Sequence, residues 1–69
     1  MEQLKKFRKE KGFSQSRMAE RLGITLSLYE KVESGRASAS AAFMRRLKKA
    51  FPEVNIDNIF FEQTQQHLC

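Results

Sequence analysis

The side chains that could carry covalent or metal chemistry are few in this 69-residue chain. The single cysteine, Cys69, is the last residue, and the single histidine, His67, stands two places before it in a polar tail. This arrangement predicts neither an internal disulfide nor a zinc site. No carboxylate pair has a companion acid or base from which to argue a catalytic site. We therefore expect neither an enzyme nor a bound cofactor.

The abundant ionisable groups are cationic. Thirteen Lys and Arg against eight Asp and Glu give a net charge of +5. Such an excess attracts an acidic polymer or surface without specifying a site. The opening stretch MEQLKKFRKEK is too polar for a signal peptide, and no apolar run approaches the length of a membrane span. We expect a cytoplasmic protein with no membrane partner.

Helices must position these cations, because apolar residues recur at intervals of three and four along the chain. No stretch alternates apolar and polar residues as a half-buried strand does. A chain of this length makes one domain around a single small core. The sequence therefore predicts an all-α fold.

Start and stop signals divide the chain into five helices. Residues that can cap a helix N-terminus alternate with residues that end a helix. The caps are Ser14, Thr25, Ser40 and Asn55, and the stops are Gly12, Gly23, Gly35 and Pro52. These signals predict helical segments at about residues 2–11, 15–22, 25–34, 40–51 and 55–61.

The second and third segments form a pattern with geometric consequences. Ala19 is small where two helices must cross closely, and Gly23 tolerates the positive φ of a tight turn. The apolar residues that would join them in one core are Met18, Leu22, Ile24, Tyr29 and Val32. With these offsets and caps, the stretch SQSRMAERLGITLSLYEKVESG resembles the Cro and phage-repressor type of helix-turn-helix, also called the Xre family.

The resemblance runs from Leu4 to Phe60 and includes the closing NIDNIFF. It departs in the loop RASAS, where that family commonly has more basic residues and a proline. It implies a compact five-helix, lambda-repressor-like DNA-binding domain over residues 1–61, with its motif at 15–34 and a short polar tail at 62–69. It also implies a structural ion pair between Arg8 and Glu33.

The function implied by the resemblance is sequence-specific regulation of transcription on double-stranded DNA, with repression as the expected outcome. In this architecture the third helix lies in the major groove and the second crosses the phosphate backbone. Such a protein would be cytoplasmic, and nucleoid-associated when bound to DNA. The alternative is a helix-turn-helix fold used as a protein-interaction module. No small-molecule ligand is predicted.

Particular residues follow from this docking. By the family resemblance Gln15, at the N-terminus of the second helix, is expected to contact phosphate, and a base is its other candidate partner. The alternative is that Gln15 is only the first residue of that helix and contacts no DNA. Ser27 and Lys31 are the hydrogen-bonding candidates on the third helix, although a solvated face is the alternative. The predicted DNA-binding residues are Gln15, Arg17, Thr25, Leu26, Ser27, Lys31, Ser34, Arg36 and Ser38. Within the run RRLKK, Lys48 and Lys49 are assigned to a solvated face.

Two leucines in the third segment cannot recognise bases by hydrogen bonds, because their side chains are apolar. Leu26 is interpreted as a contact to the thymine C5-methyl group, an apolar feature of the major groove. Leu28 is interpreted as partly packed beside the core or placed at the backbone edge. The other hypothesis is that both leucines belong to a protein-binding patch.

A homodimer is predicted, because one recognition helix reads only a few base pairs. A two-fold dimer would bind half-sites one helical turn apart, about 34 Å. The surface expected to join the two copies is the apolar end of the chain, formed by Ile59, Phe60 and Phe61.

Overall fold

Five helices and no strand make up residues 1–60, the part of the chain that the computed structural model describes. They are α1 (Glu2–Glu10), α2 (Gln15–Leu22), α3 (Leu26–Ser34), α4 (Ala41–Ala50) and α5 (Ile56–Phe60). The predicted all-α, five-helix fold is confirmed. Phe61 and the tail with His67 and Cys69 lie outside the described residues. Within residues 1–60, no helix is long and apolar enough to cross a membrane.

Each predicted cap is formed by a side-chain oxygen that accepts a backbone amide hydrogen. Ser14 accepts from the amide of Arg17, and Thr25 accepts from the amide of Leu28, both at 3.1 Å. Ser40 and Asn55 do the same for Phe43 at 3.1 Å and Asn58 at 3.0 Å. Each cap stabilises its helix by about 1 kcal/mol, because it satisfies an amide that has no partner within the helix.

The core is apolar and lies where the inner faces of all five helices meet. Its fully buried side chains are Tyr29, Leu4, Met18, Leu47 and Val32. Ala19 on α2 is 2 % exposed, and α2 packs against α3. A larger side chain at this buried position would overpack the core. The core residues predicted in the helix-turn-helix stretch are buried, apart from Ile24, which packs against the core while half-buried.

An aromatic cluster closes one end of the core and is covered by cations. The Phe51 ring meets the Phe7 ring edge-on with centroids 5.4 Å apart, and the Phe13 ring at 5.9 Å. The guanidinium of Arg21 lies 5.1 Å from the Phe51 centroid, and that of Arg17 lies 5.7 Å from the Phe13 centroid. These cation–π contacts restrain the exposed arginines of α2.

Two cations of the run RRLKK hold backbone carbonyls at the ends of helices. Arg46 donates from Nη1 to the carbonyl of Leu22 at 3.1 Å, where α2 ends. Lys48 donates from Nζ to the carbonyls of Pro52 at 2.8 Å and Val54 at 3.0 Å. Lys48 is exposed, as its assignment to a solvated face predicts, and its ammonium also satisfies carbonyls in the turn after α4.

Gly23 ends α2 with a φ of 73°, a conformation that side chains rarely adopt. A Cβ added there would lie 2.9 Å from Nη1 of Arg46, the atom that caps α2. Gly12 has nearly the same φ, 76°, but a Cβ there would meet nothing within 4 Å. The two glycines therefore separate backbone strain from the loss of the Arg46 contact.

We predict that Gly12→Ala lowers the free energy of unfolding by about 1 kcal/mol, through backbone strain. Gly23→Ala should lower it by up to about 1 kcal/mol more, because the Arg46 side chain must shift away from the added Cβ, which weakens its hydrogen bond to the carbonyl of Leu22. Urea unfolding measures both variants. In an Arg46→Ala background the excess cost of Gly23→Ala should vanish, and an undiminished excess would contradict this explanation.

Candidate nucleic-acid interface

A buried ion pair joins α1 to the end of α3. Arg8 donates from Nε to Oε2 of Glu33 at 2.9 Å and from Nη2 to Oε1 at 3.2 Å. Only 8 % of Arg8 and 6 % of Glu33 are exposed. The pair implied by the family resemblance is thus present. Arg8 also donates from Nη1 to the carbonyl of Phe13 at 2.8 Å, which fixes the turn before α2.

The Glu33 carboxylate accepts two further hydrogen bonds. The Tyr29 hydroxyl donates to Oε2 at 2.5 Å, and Nε2 of Gln15 donates to Oε1 at 2.9 Å. One carboxylate therefore receives donors from α1, α2 and α3. Among residues 1–60, no buried side-chain nitrogen or oxygen is left without a partner. The network is fully satisfied, which is the condition under which buried charge fixes one arrangement.

The protonation states in this network follow from its contacts. Burial would raise the pKa of Glu33, but the hydrogen bonds from Arg8, Tyr29 and Gln15 outweigh burial and hold that pKa below its ordinary value. Burial raises the pKa of the Tyr29 phenol, and its hydrogen bond to Glu33 raises it further. Glu33 is therefore an anion and Tyr29 a donor at neutral pH.

This network determines which face of α3 remains free. Tyr29, Val32 and Glu33 are buried on the inner face. Because successive residues turn by about 100° around the helix axis, Ser27 and Lys31 fall opposite that buried face. Both are exposed. The two residues predicted to hydrogen-bond to bases thus form one outward row, which we call the Ser27–Lys31 row.

Leu26 and Leu28 flank that row and are the exposed large hydrophobic residues of the described chain. Leu26 is 40 % exposed and Leu28 is 42 % exposed. Exposure therefore does not distinguish the two leucines, and the interpretation of Leu28 as partly packed beside the core or placed at the backbone edge stays a prediction. Leu26 occupies the first position of α3 and Leu28 the third.

The polar residues around α3 are partly engaged within the chain. Thr25 uses its oxygen to cap α3 and keeps its hydroxyl hydrogen. Ser34 donates to the carbonyl of Lys31 at 3.2 Å and accepts from Nε of Arg36 at 3.2 Å. The guanidinium of Arg36 therefore retains its terminal nitrogens for other partners. Arg36 and Ser38 are both exposed in the loop after α3.

Arg17 and Gln15, two predicted DNA-binding residues on α2, differ in exposure and in how far their polar groups are already hydrogen-bonded within the chain. Arg17 is exposed, and its Nε lies 4.0 Å from the Glu20 carboxylate, a weak surface pair. Gln15 is half-buried and has committed one amide hydrogen to Glu33. Its carbonyl oxygen and second amide hydrogen are left for a ligand. Eight of the nine predicted DNA-binding residues are exposed, with Gln15 as the exception.

Glu30 is a residue of this surface that sequence reasoning missed. It is exposed on α3 and stands immediately before Lys31. A carboxylate here repels phosphate and can accept a hydrogen bond from the N4 amino group of cytosine. Its position could have been found from the same helical spacing that selected Ser27 and Lys31.

The chain is similar in sequence to known helix-turn-helix proteins. A helix-turn-helix family model matches residues 4–59. The chain is 35 % identical over 57 residues to an uncharacterized HTH-type transcriptional regulator of Methanothermobacter thermautotrophicus, an alignment that covers 83 % of each chain. No solved structure matches the chain significantly.

We predict that Glu33→Gln lowers the free energy of unfolding by about 3 kcal/mol at neutral pH, because the buried Arg8 loses its counter-charge. The depressed pKa gives Glu33 a stabilising contribution that is complete above its ordinary value of 4.5. That contribution is lost as the pH falls through the lower pKa of the folded state. Urea unfolding between pH 7 and pH 3 should therefore show a shallower loss of stability in Glu33→Gln than in the wild-type chain.

Glu30→Gln is the matched control, since it removes one carboxylate from an exposed position of the same helix. It should leave the free energy of unfolding at neutral pH within about 0.5 kcal/mol of the wild-type value. Equal pH dependence in Glu33→Gln and the wild-type chain would contradict the assigned role of Glu33.

Proposed function

The chain belongs to the Cro and phage-repressor type (Xre family) of helix-turn-helix proteins, and on that premise we propose that it is a repressor that reads a specific DNA sequence. As a member of this family it is a DNA-binding transcription regulator. The observation that carries the finer proposal is the exposed Ser27–Lys31 row on a helix whose opposite face is held by buried Glu33. A rigid helix presents its donors at fixed spacing, which is what reading bases requires.

The proposed docking places α3 in the major groove and α2 across one strand's backbone. Lys31 donates to the O6 and N7 acceptors of guanine, and Ser27 bonds to the neighbouring base edge or phosphate. Gln15 offers its remaining amide hydrogen to phosphate beside the free backbone amides at the start of α2. Arg17, Thr25, Ser34, Arg36 and Ser38 are proposed as the surrounding contacts to the backbone and groove edge.

The net charge of +5 supports the same docking, because phosphate contacts supply much of the affinity of DNA-binding domains. Occupying an operator that overlaps a promoter would exclude RNA polymerase, and this is the proposed route to repression. The protein acts in the cytoplasm and joins the nucleoid when it is bound to DNA.

A homodimer is proposed as the form that binds an operator. Ile59 is only 8 % exposed, so it contributes little accessible area to the proposed dimer surface. The Phe60 ring packs edge-on against Phe43 at 6.3 Å and stays half-buried, which leaves part of it for a second copy. Phe61 lies outside the described residues and keeps its proposed role from the sequence.

A protein-interaction module is the second candidate function, and the exposure of Leu26 and Leu28 is the observation in its favour. The two functions differ in their dependence on salt. DNA binding releases counterions from each neutralised phosphate, whereas apolar docking of a protein does not.

We predict that the chain binds duplex DNA with an affinity that falls steeply as the salt concentration rises. Each phosphate contact should contribute about −0.9 to the slope of log K against log salt. Arg36→Ala should weaken selected and scrambled duplexes alike and reduce the slope by about 1. Lys31→Ala should instead relax the preference at one base pair, at a cost of about 1–3 kcal/mol on the selected duplex. Fluorescence anisotropy over a series of salt concentrations measures both effects.

Lys49→Ala is the matched control, because Lys49 is an exposed cation that sequence analysis placed on the solvated face of α4. Its salt slope should equal that of the wild-type chain. Absence of duplex binding at low salt, or binding without salt dependence, would transfer support to the protein-interaction module.

The dimer proposal predicts that Phe61→Glu raises the dissociation constant of the dimer at least tenfold, since a carboxylate replaces apolar surface at the contact. Sedimentation equilibrium measures it directly. A dimer of unchanged affinity would show that the two copies meet elsewhere.

A further inference from the structure

The two exposed leucines of α3 have no assigned partner within the described chain. Resting on the proposed DNA-binding function, we infer that Leu26 and Leu28 contact C5-methyl groups of thymines on opposite strands of each half-site. The ligand of this site is therefore a DNA duplex with one thymine methyl group on each strand in the major groove. Both methyl groups lie close to the base pairs that face the Ser27–Lys31 row.

The positions of the leucines on the helix support this inference. Leu26 and Leu28 are two residues apart, which places them roughly 160° from each other around the helix axis. Counting from the Ser27–Lys31 row, Leu26 lies on one side and Leu28 on the other. The leucines thus occupy opposite flanks of α3, with hydrogen-bonding residues between them.

The dimensions of helix and groove agree. An α-helix with its side chains is about 10–12 Å across, and the major groove is about 12 Å wide. Side chains on opposite flanks of a helix in the groove therefore approach opposite walls, which belong to different strands. Along the axis the two residues are separated by only about 3 Å, close to the spacing of one base-pair step. Both methyl groups should lie within one to three base pairs of each other.

The same geometry argues against a protein partner. An apolar protein-docking site is typically one continuous exposed patch. Leu26 and Leu28 do not form one, because Ser27 and Lys31 separate them on the outer face and the buried side of the helix separates them on the inner face. Two apolar side chains on either side of a polar strip that includes Ser27, Lys31 and Glu30 fit a groove in which hydrogen-bonding edges alternate with methyl groups.

Replacing thymine by uracil tests the inference, because this change removes the C5-methyl group and leaves base pairing intact. A preferred duplex is first obtained by selection from a random pool. Each thymine is then replaced singly by deoxyuridine, and affinities are measured at one salt concentration. Burial of one methyl-sized group corresponds to about a fourfold change in affinity. We expect about a fourfold loss at one thymine on each strand of a half-site.

Variants then assign each methyl group to its leucine. Leu26→Ala should lose sensitivity to uracil at one of these two positions and keep it at the other, and Leu28→Ala should show the converse. Both positions are exposed and alanine favours helix, so both variants should fold, which circular dichroism checks. Leu26→Met, which retains an apolar side chain of similar reach, should keep the preference for thymine over uracil.

The outcomes separate this inference from the proposed function. Sequence-specific, salt-dependent binding with no loss at any uracil-substituted position would overturn the methyl contacts and leave the DNA-binding function standing. Unchanged uracil sensitivity in both alanine variants would do the same. Failure to select any duplex would instead refute the proposed function.

Discussion

The buried carboxylate of Glu33 is the group on which the arrangement of the helix-turn-helix depends. It stands at the end of α3 and accepts hydrogen bonds from Arg8 of α1, Gln15 of α2 and Tyr29 of its own helix. Removing one partner from such a pair costs about 3–5 kcal/mol, a large part of the stability of a 69-residue domain. The alternatives in which α3 is rotated or shifted are disfavoured, because they would leave a buried charge without its partners.

This constraint links stability to recognition. Burial of Tyr29, Val32 and Glu33 on one side of α3 disfavours rotation of the helix, so its opposite side presents Ser27 and Lys31. Caps at Thr25 and Gly35 fix where α3 begins and ends. The hydrogen bond from Gln15 to Glu33 also ties the start of α2, the proposed phosphate contact, to the helix proposed to read bases. The residues proposed to bind phosphate and those proposed to recognise bases are therefore held in one fixed arrangement by the same hydrogen-bond network.

The features that the sequence could predict are those determined locally. Caps at Ser14, Thr25, Ser40 and Asn55 depend on neighbouring amides, and the helix stop at Gly23 depends on its own φ. The role of Arg46 at the end of α2 could not be predicted, because it joins residues 24 positions apart in the chain. The hydrogen bond from Gln15 to Glu33 and the nearly equal exposure of Leu26 and Leu28 could not be predicted either, because both depend on how the helices pack. Assigning DNA contacts needs the DNA itself, so those assignments remain proposals.

An amide-resolved NMR titration of the ¹⁵N-labelled chain with its selected duplex shows directly whether DNA binds at the Ser27–Lys31 row. We expect the largest shift changes on the amides of Gln15, Ser27 and Lys31. The amides of Lys5 and Lys9, two exposed lysines of α1, should be unchanged. Changes centred on α1 with α3 unaffected would contradict this expectation, because they would mean that charge attracts DNA to a face other than the Ser27–Lys31 row.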